Sequence, residues 1–139
     1  MCSNIYSTIG GRVAFFITKE ASKWARSEGC TDEVILSAIR EMEQGLLGNA
    51  LGACLYKKRV AIPGAGKSGG WRIIIATKLQ DDWFVLHGFA KNVQANINSA
   101  QLADLKQLGK AMLALNKQSL QLAIASGFIR ELYSETLND

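Results

Sequence analysis

The segment Pro63-Gly64-Ala65-Gly66-Lys67-Ser68-Gly69-Gly70 constrains the fold more than any other part of the chain. It holds the chain's single proline and four glycines within eight residues, a density that neither a helix interior nor a central strand tolerates. On either side lie runs rich in β-branched and aromatic residues, Cys54 to Ile62 and Trp71 to Leu79. Two such runs joined by a turn-forming segment predict an antiparallel hairpin, with residues 63–70 as its loop. Asp81-Asp82 then makes a tight connection to a third run, Trp83 to Phe89, which extends the hairpin into a meander.

Helical signals flank this sheet. After a first apolar run from Arg12 to Ile17, Thr18 can cap a helix whose Ala21, Trp24 and Ala25 share one face before Gly29 stops it. Thr31 caps a second helix, with Asp32 and Glu33 in its first turn where the helix dipole favours anions; Val34, Ile35, Ala38, Ile39 and Met42 form its apolar stripe, and Gly45 ends it. Leu102, Leu105, Leu108, Met112 and Leu115 mark a third helix from Asn98 or Ser99, and a shorter one covers Ser119 to Ser126. Phe128 to Tyr133 reads as a further strand or an extended tail. The expected fold class is α+β: a small antiparallel sheet with an N-terminal αα-hairpin and C-terminal helices, all helices packed on one face. At 139 residues this makes one domain over 1–139, with 1–11 and 134–139 expected to be flexible ends.

Several function classes fall away. No apolar run approaches the roughly 20 residues of a membrane helix, and Met1 to Gly11 has no basic and apolar signal pattern. A cytoplasmic protein without membrane partners is expected. Cys2, Cys30 and Cys54 are odd in number and show no metal-ligand spacing, which predicts neither a disulfide framework nor a metal site. The sequence Gly64-Ala65-Gly66-Lys67-Ser68 resembles the end of a phosphate-binding P-loop, but the first glycine of that motif would fall on Ala61. A strand rather than a helix is also expected to follow it, so nucleotide hydrolysis is not supported and no cofactor is called for.

Charge placement is more informative than the net charge of +4. No acidic residue lies between Glu43 and Asp81, and that interval contains Lys57, Lys58, Arg59, Lys67, Arg72 and Lys78. Such a block attracts polyanions, although a solvated basic face would serve solubility alone. Side chains alternate along a strand, so Lys57 and Arg59 share one face and Lys58 takes the other with Tyr56 and Val60. Antiparallel pairing across the Gly-rich segment can bring Arg72 beside Lys57 and Arg59. Three cations so placed repel one another unless an anion such as a phosphate joins them. His87 and Lys91 fall near the same end of the sheet and add a titratable imidazole and another cation.

These residues carry a family resemblance. Leu55-Tyr56-Lys57-Lys58-Arg59-Val60, Gly66-Lys67-Ser68-Gly69-Gly70-Trp71-Arg72, and Gly88-Phe89-Ala90-Lys91-Asn92 followed by Ala95-Asn96-Ile97 resemble the RelE-like branch of the RelE/ParE-superfamily toxins of type II toxin–antitoxin modules. The resemblance runs from about Phe15 to Glu131. It implies a RelE-like fold and a metal-independent endoribonuclease that cleaves mRNA on translating ribosomes, thereby inhibiting translation, with a cognate antitoxin protein, the ribosome and mRNA as partners. By the same resemblance Lys57 and Arg59 bind mRNA phosphates and help activate the nucleophile, and Arg72 stabilises the transition state. Lys58, Lys67, Lys91 and Asn92 are the expected additional RNA contacts.

The chain departs from the best-known RelE pattern after Lys91, where Asn92 stands in place of Arg and the following segment has Ile97 and Asn98 but no Tyr. Acid–base chemistry must then come from elsewhere. His87 is the candidate; Tyr56 points away from Lys57, and Tyr133 could serve only by folding back. Two other readings stay open: a ParE-like gyrase inhibitor, and a non-enzymatic RNA- or ribosome-binding domain.

Overall fold

A computed structural model describes residues 13–134. The expected flexible ends, Cys2 and the start of the first apolar run at Arg12 lie outside the described residues, save for Ser134, which is buried. In chain order the elements are β1 (Phe15–Thr18), α1 (Lys19–Glu28), α2 (Asp32–Glu43), β2 (Asn49–Gly52), β3 (Leu55–Ile62), β4 (Gly66–Thr77), β5 (Trp83–Ala90), α3 (Ser99–Leu113), α4 (Lys117–Ala125) and β6 (Ile129–Glu131). Each helix begins at a side chain that accepts a backbone N–H three residues on: Thr18, Thr31, Asn98 and Asn116. These caps satisfy donors that the first helical turn leaves unpaired.

The strands form one six-stranded sheet in the order β2-β3-β4-β5-β1-β6. It is antiparallel except where β1 lies parallel to β5, with Phe15 opposite Trp83 and Ile17 opposite Val85. A parallel neighbour needs a long crossover, and the stretch from α1 through β4 supplies it.

The helices do not share one face, contrary to the sequence expectation. α1 and α2 pack on one side against Ile17, Val60, Trp71, Ile73, Ile75, Trp83 and Val85. α3 covers the other side, where Leu105 and Met112 meet Phe16, Leu55, Ile74, Ala76, Phe84 and Leu86, with Leu120 and Ala123 of α4 packed alongside. The reason is visible in β4. Ile73, Ile74, Ile75 and Ala76 are all fully buried, and a strand that is apolar without alternation must be covered on both faces. Gly109 lets α3 approach closely: a Cβ there would stand 2.7 Å from the Leu55 Cδ1 atom.

The Gly-rich loop is also shorter than expected. Pro63 to Ala65 form the turn, closed by the Ala65 N–H donating to the Ile62 carbonyl at 2.9 Å, and β4 already begins at Gly66. Glycines 66, 69 and 70 thus belong to the start of a long strand, with Gly69 exposed and Gly70 buried. One strand, β2, had no sequence signal. It pairs Asn49 with Lys57 and carries little apolar character because it is a short, exposed edge.

Candidate functional site

Cross-strand register defines the site. In β3 and β4, Lys57 stands opposite Ile74 and Arg59 stands opposite Arg72. In β4 and β5, Ile74 stands opposite His87 and Arg72 opposite Phe89. Directly opposed residues share a face with Cβ atoms about 5 Å apart, so the sheet presents two adjacent rows, Lys57-Ile74-His87 and Arg59-Arg72-Phe89. Ile74 and Phe89 belong to the core beneath α3 and α4, which assigns both rows to that side.

His87 reaches this face through an irregularity in β5. The register shifts between Ile74 and Ile75, which pair with His87 and Val85 and leave Leu86 as an extra residue. Strict alternation would have sent His87 to the same side as Val85, beneath α1. The bulge keeps it with Leu86, its ring 6.1 Å from that of Phe89. Gly88 then faces the first helix, where a Cβ would come within 2.3 Å of the Trp24 ring.

The electrostatics follow from burial and proximity. Arg72 is partly covered and donates to the carbonyl of Trp71 at 3.2 Å; burial and the neighbouring Arg59 charge both lower its pKa from the ordinary guanidinium value. Arg59 is exposed. The Lys57 amine donates to Asn96 Oδ1 at 3.0 Å, which links β3 to the segment between β5 and α3. Burial lowers the His87 pKa, against a smaller upward pull from Glu20, so the ring is neutral at pH 7; its Nε2 is buried and without a hydrogen-bond partner.

The remaining sequence candidates are placed differently. Lys58 lies on the opposite face, 6% exposed, with its amine 2.9 Å from Glu41 Oε1 and 3.0 Å from the Leu46 carbonyl. A buried ammonium held by a carboxylate and a carbonyl fastens β3 to the end of α2, and it is not free to meet an external phosphate. Lys91 and Asn92 are exposed just beyond β5, where the Lys91 N–H donates to the Gly70 carbonyl at 3.0 Å. The Lys67 side chain lies outside the described residues. Tyr56 is paired with Ile75 and packs in the core beneath α1 and α2, as its place in the strand requires. Tyr133 does not fold back: it follows β6, is exposed, and its hydroxyl donates to Glu131 at 3.2 Å.

Asn96 was not distinguished by sequence reasoning. Its only signal was membership in the Ala95-Asn96-Ile97 string, since a polar residue in a polar connection carries no periodicity to interpret. Of the two cysteines among the described residues, Cys30 is buried with its thiol pushed up to about 12, chiefly by burial, and Cys54 is exposed.

Chemically, the face offers one ammonium, two guanidinium groups and a neutral imidazole. Such an assembly can hold a phosphodiester, stabilise extra negative charge on phosphorus and move a proton. Among known families, residues 13–132 match the family model described as the RelE toxin of the RelE/RelB toxin–antitoxin system. No curated protein sequence matches the chain.

Proposed function

The chain belongs to the RelE toxin family of toxin–antitoxin systems, and on that premise we propose that it is a ribosome-dependent mRNA endoribonuclease neutralised by a cognate antitoxin. The observation that carries this reading is the pair of cross-strand rows that set Lys57, Arg59, Arg72 and His87 on one face. Attack of a ribose 2′ oxygen on the adjacent phosphorus passes through a pentacoordinate species with added negative charge. Fixed cations aimed at that charge lower the barrier without calling on a metal.

In this scheme Lys57 and Arg59 grip the phosphate, and Arg72 stabilises the charge that develops on its oxygens. Neutral His87 takes the 2′ proton as base, and its conjugate acid can then protonate the departing 5′ oxygen. Exposed Lys91 and Asn92, with Lys67, guide the flanking RNA. Residues 1–139 act as a single toxin domain in the cytoplasm. Among the described residues no helix is long and apolar enough to cross a membrane.

Primer extension on translated mRNA tests the proposal. Induction of the wild-type chain is expected to produce discrete 5′ ends within coding sequence, and Arg72→Ala is expected to remove them while far-UV circular dichroism stays unchanged. Intact transcripts together with trapped cleaved gyrase–DNA complexes would assign the chain a ParE-like activity instead. Intact transcripts with retained ribosome binding would make it a non-enzymatic binding domain.

A further inference from the structure

Lys57 is a long, partly exposed side chain, and its amine is held by Asn96, which lies 39 residues away in sequence. The orientation of that amide is fixed independently. Asn96 Oδ1 also accepts the Ile97 backbone N–H at 2.9 Å, so a flipped amide would set two donor groups against each other. The oxygen thus faces Lys57 whether or not the lysine is present.

The segment carrying Asn96 is itself anchored. Gln94 Nε2 donates to the Asn96 carbonyl at 2.8 Å and to Gln101 Oε1 at 2.9 Å. Gln101 in turn closes the α3 capping box with Asn98, its Oε1 accepting the Asn98 N–H at 3.1 Å and its own N–H donating to Asn98 Oδ1 at 2.8 Å. A continuous chain of hydrogen bonds therefore runs from the N-terminus of α3 to the Lys57 amine. Each side chain in that chain beyond Lys57 is a neutral amide.

That neutrality is the informative property. A carboxylate at position 96 would hold the lysine equally well but would cancel its charge and compete with any incoming phosphate. An amide oxygen orients the ammonium and leaves its full charge and its two other N–H donors available. We propose that Asn96 is a positioning residue, which pre-orders Lys57 for an RNA phosphate while sparing its charge. This rests on the endoribonuclease reading given above and adds to it the device that organises one of its cations.

The test uses the full chain and a short 2′-O-methyl oligoribonucleotide, which binds but cannot be cut at a blocked 2′ oxygen. Affinity is measured by fluorescence anisotropy over a series of KCl concentrations for the wild type, Lys57→Ala, Asn96→Asp and Asn96→Ala. Loss of one phosphate contact reduces the slope of log affinity against log salt by about 0.7 for a single strand. Lys57→Ala and Asn96→Asp are both expected to show that reduction, while Asn96→Asp keeps the wild-type melting temperature because the carboxylate accepts the same two hydrogen bonds. Asn96→Ala is expected to weaken binding with an unchanged slope, since the charge remains but is no longer held in place.

A purely structural role for Asn96 would leave Asn96→Asp with wild-type affinity and slope. If Lys57→Ala lowers the slope and Asn96→Asp does not, the positioning proposal is overturned and the RNA reading survives. If Lys57→Ala leaves binding and slope unchanged, the RNA reading of this face fails and the Asn96 proposal fails with it.

Discussion

Arg59 stands directly opposite Arg72 in the β3–β4 ladder, so two guanidinium groups share one cross-strand position. Like charges so placed destabilise a sheet, by roughly 0.2–1 kcal/mol on the scale of measured cross-strand pairs. Arg59→Gln is therefore expected to raise stability by a few tenths of a kcal/mol in urea denaturation while it reduces RNA cleavage. A variant that lost both stability and cleavage would show that Arg59 contributes packing rather than functional charge.

The pH dependence of stability should carry the mark of His87, the chain's single histidine. Its folded pKa is lowered from 6.5, so below that pH the unfolded chain binds more protons than the folded one. The contribution of the neutral, half-buried ring is then complete above about pH 6.5 and declines as the pH falls below it. Chemical denaturation of the wild type between pH 5 and 8 should show this slope, and His87→Gln should flatten it. In cleavage assays the same depressed pKa keeps the base form available below pH 6.5, so the rate is expected to hold its plateau into mildly acidic buffer.

Gly88 is required by Trp24. The Cβ of an alanine at 88 would lie 2.3 Å from the indole ring, and neither the strand nor the buried helix face can yield that much space without distortion. Gly88→Ala is expected to cost about 1–3 kcal/mol, the range for overpacked cores. Adding Trp24→Leu should recover part of the loss, and the double-mutant cycle should yield a coupling energy above 0.5 kcal/mol in order of magnitude. Additive effects would mean that the two residues do not press on each other.

The C-terminal strand is fastened to the start of α2 by Asp32 and Arg130. Both carboxylate oxygens accept from the guanidinium at 2.9 Å, Arg130 Nε donates to Ser22 at 3.1 Å, and Ser134 hydrogen-bonds Glu33 nearby. The Arg130 hydrogen bonds hold the Asp32 pKa below 3.8. Both side chains are partly exposed, so Arg130→Ala is expected to cost only about 1 kcal/mol. That contribution is fully present above pH 3.8 and is lost as the pH falls through the lowered folded value, so the gap between wild type and Asp32→Asn should close in strong acid.

Much of this fold was legible in the chain. Thr18, Thr31 and Asn98 mark helix starts by capping chemistry, which is local and therefore readable. The face shared by Lys57 and Arg59 follows from strand alternation alone. Other features depend on tertiary structure. The split of helices between two faces was latent in the unbroken apolar run Ile73-Ile74-Ile75-Ala76, whose lack of alternation signals burial on both sides. Lys58 counts among the basic residues, but a charge count does not reveal its burial against Glu41 across the α2–β3 interface. The pairing of β1 with β5 and the Asn96 contact with Lys57 each join residues distant in sequence, and no local pattern encodes them.

The extra residue at Leu86 has a consequence for how β5 can change. Side chains on a strand have only two orientations, and the bulge fixes the parity of everything after it. His87 turns toward the cations and Gly88 toward Trp24 as one linked outcome. Drawing Leu86 into a regular ladder at unchanged chain length would exchange the two, placing an imidazole against the indole and a glycine in the cationic row. The orientation of both residues consequently depends on Leu86 staying outside the ladder, and a change that forced it into regular pairing would damage packing and chemistry together.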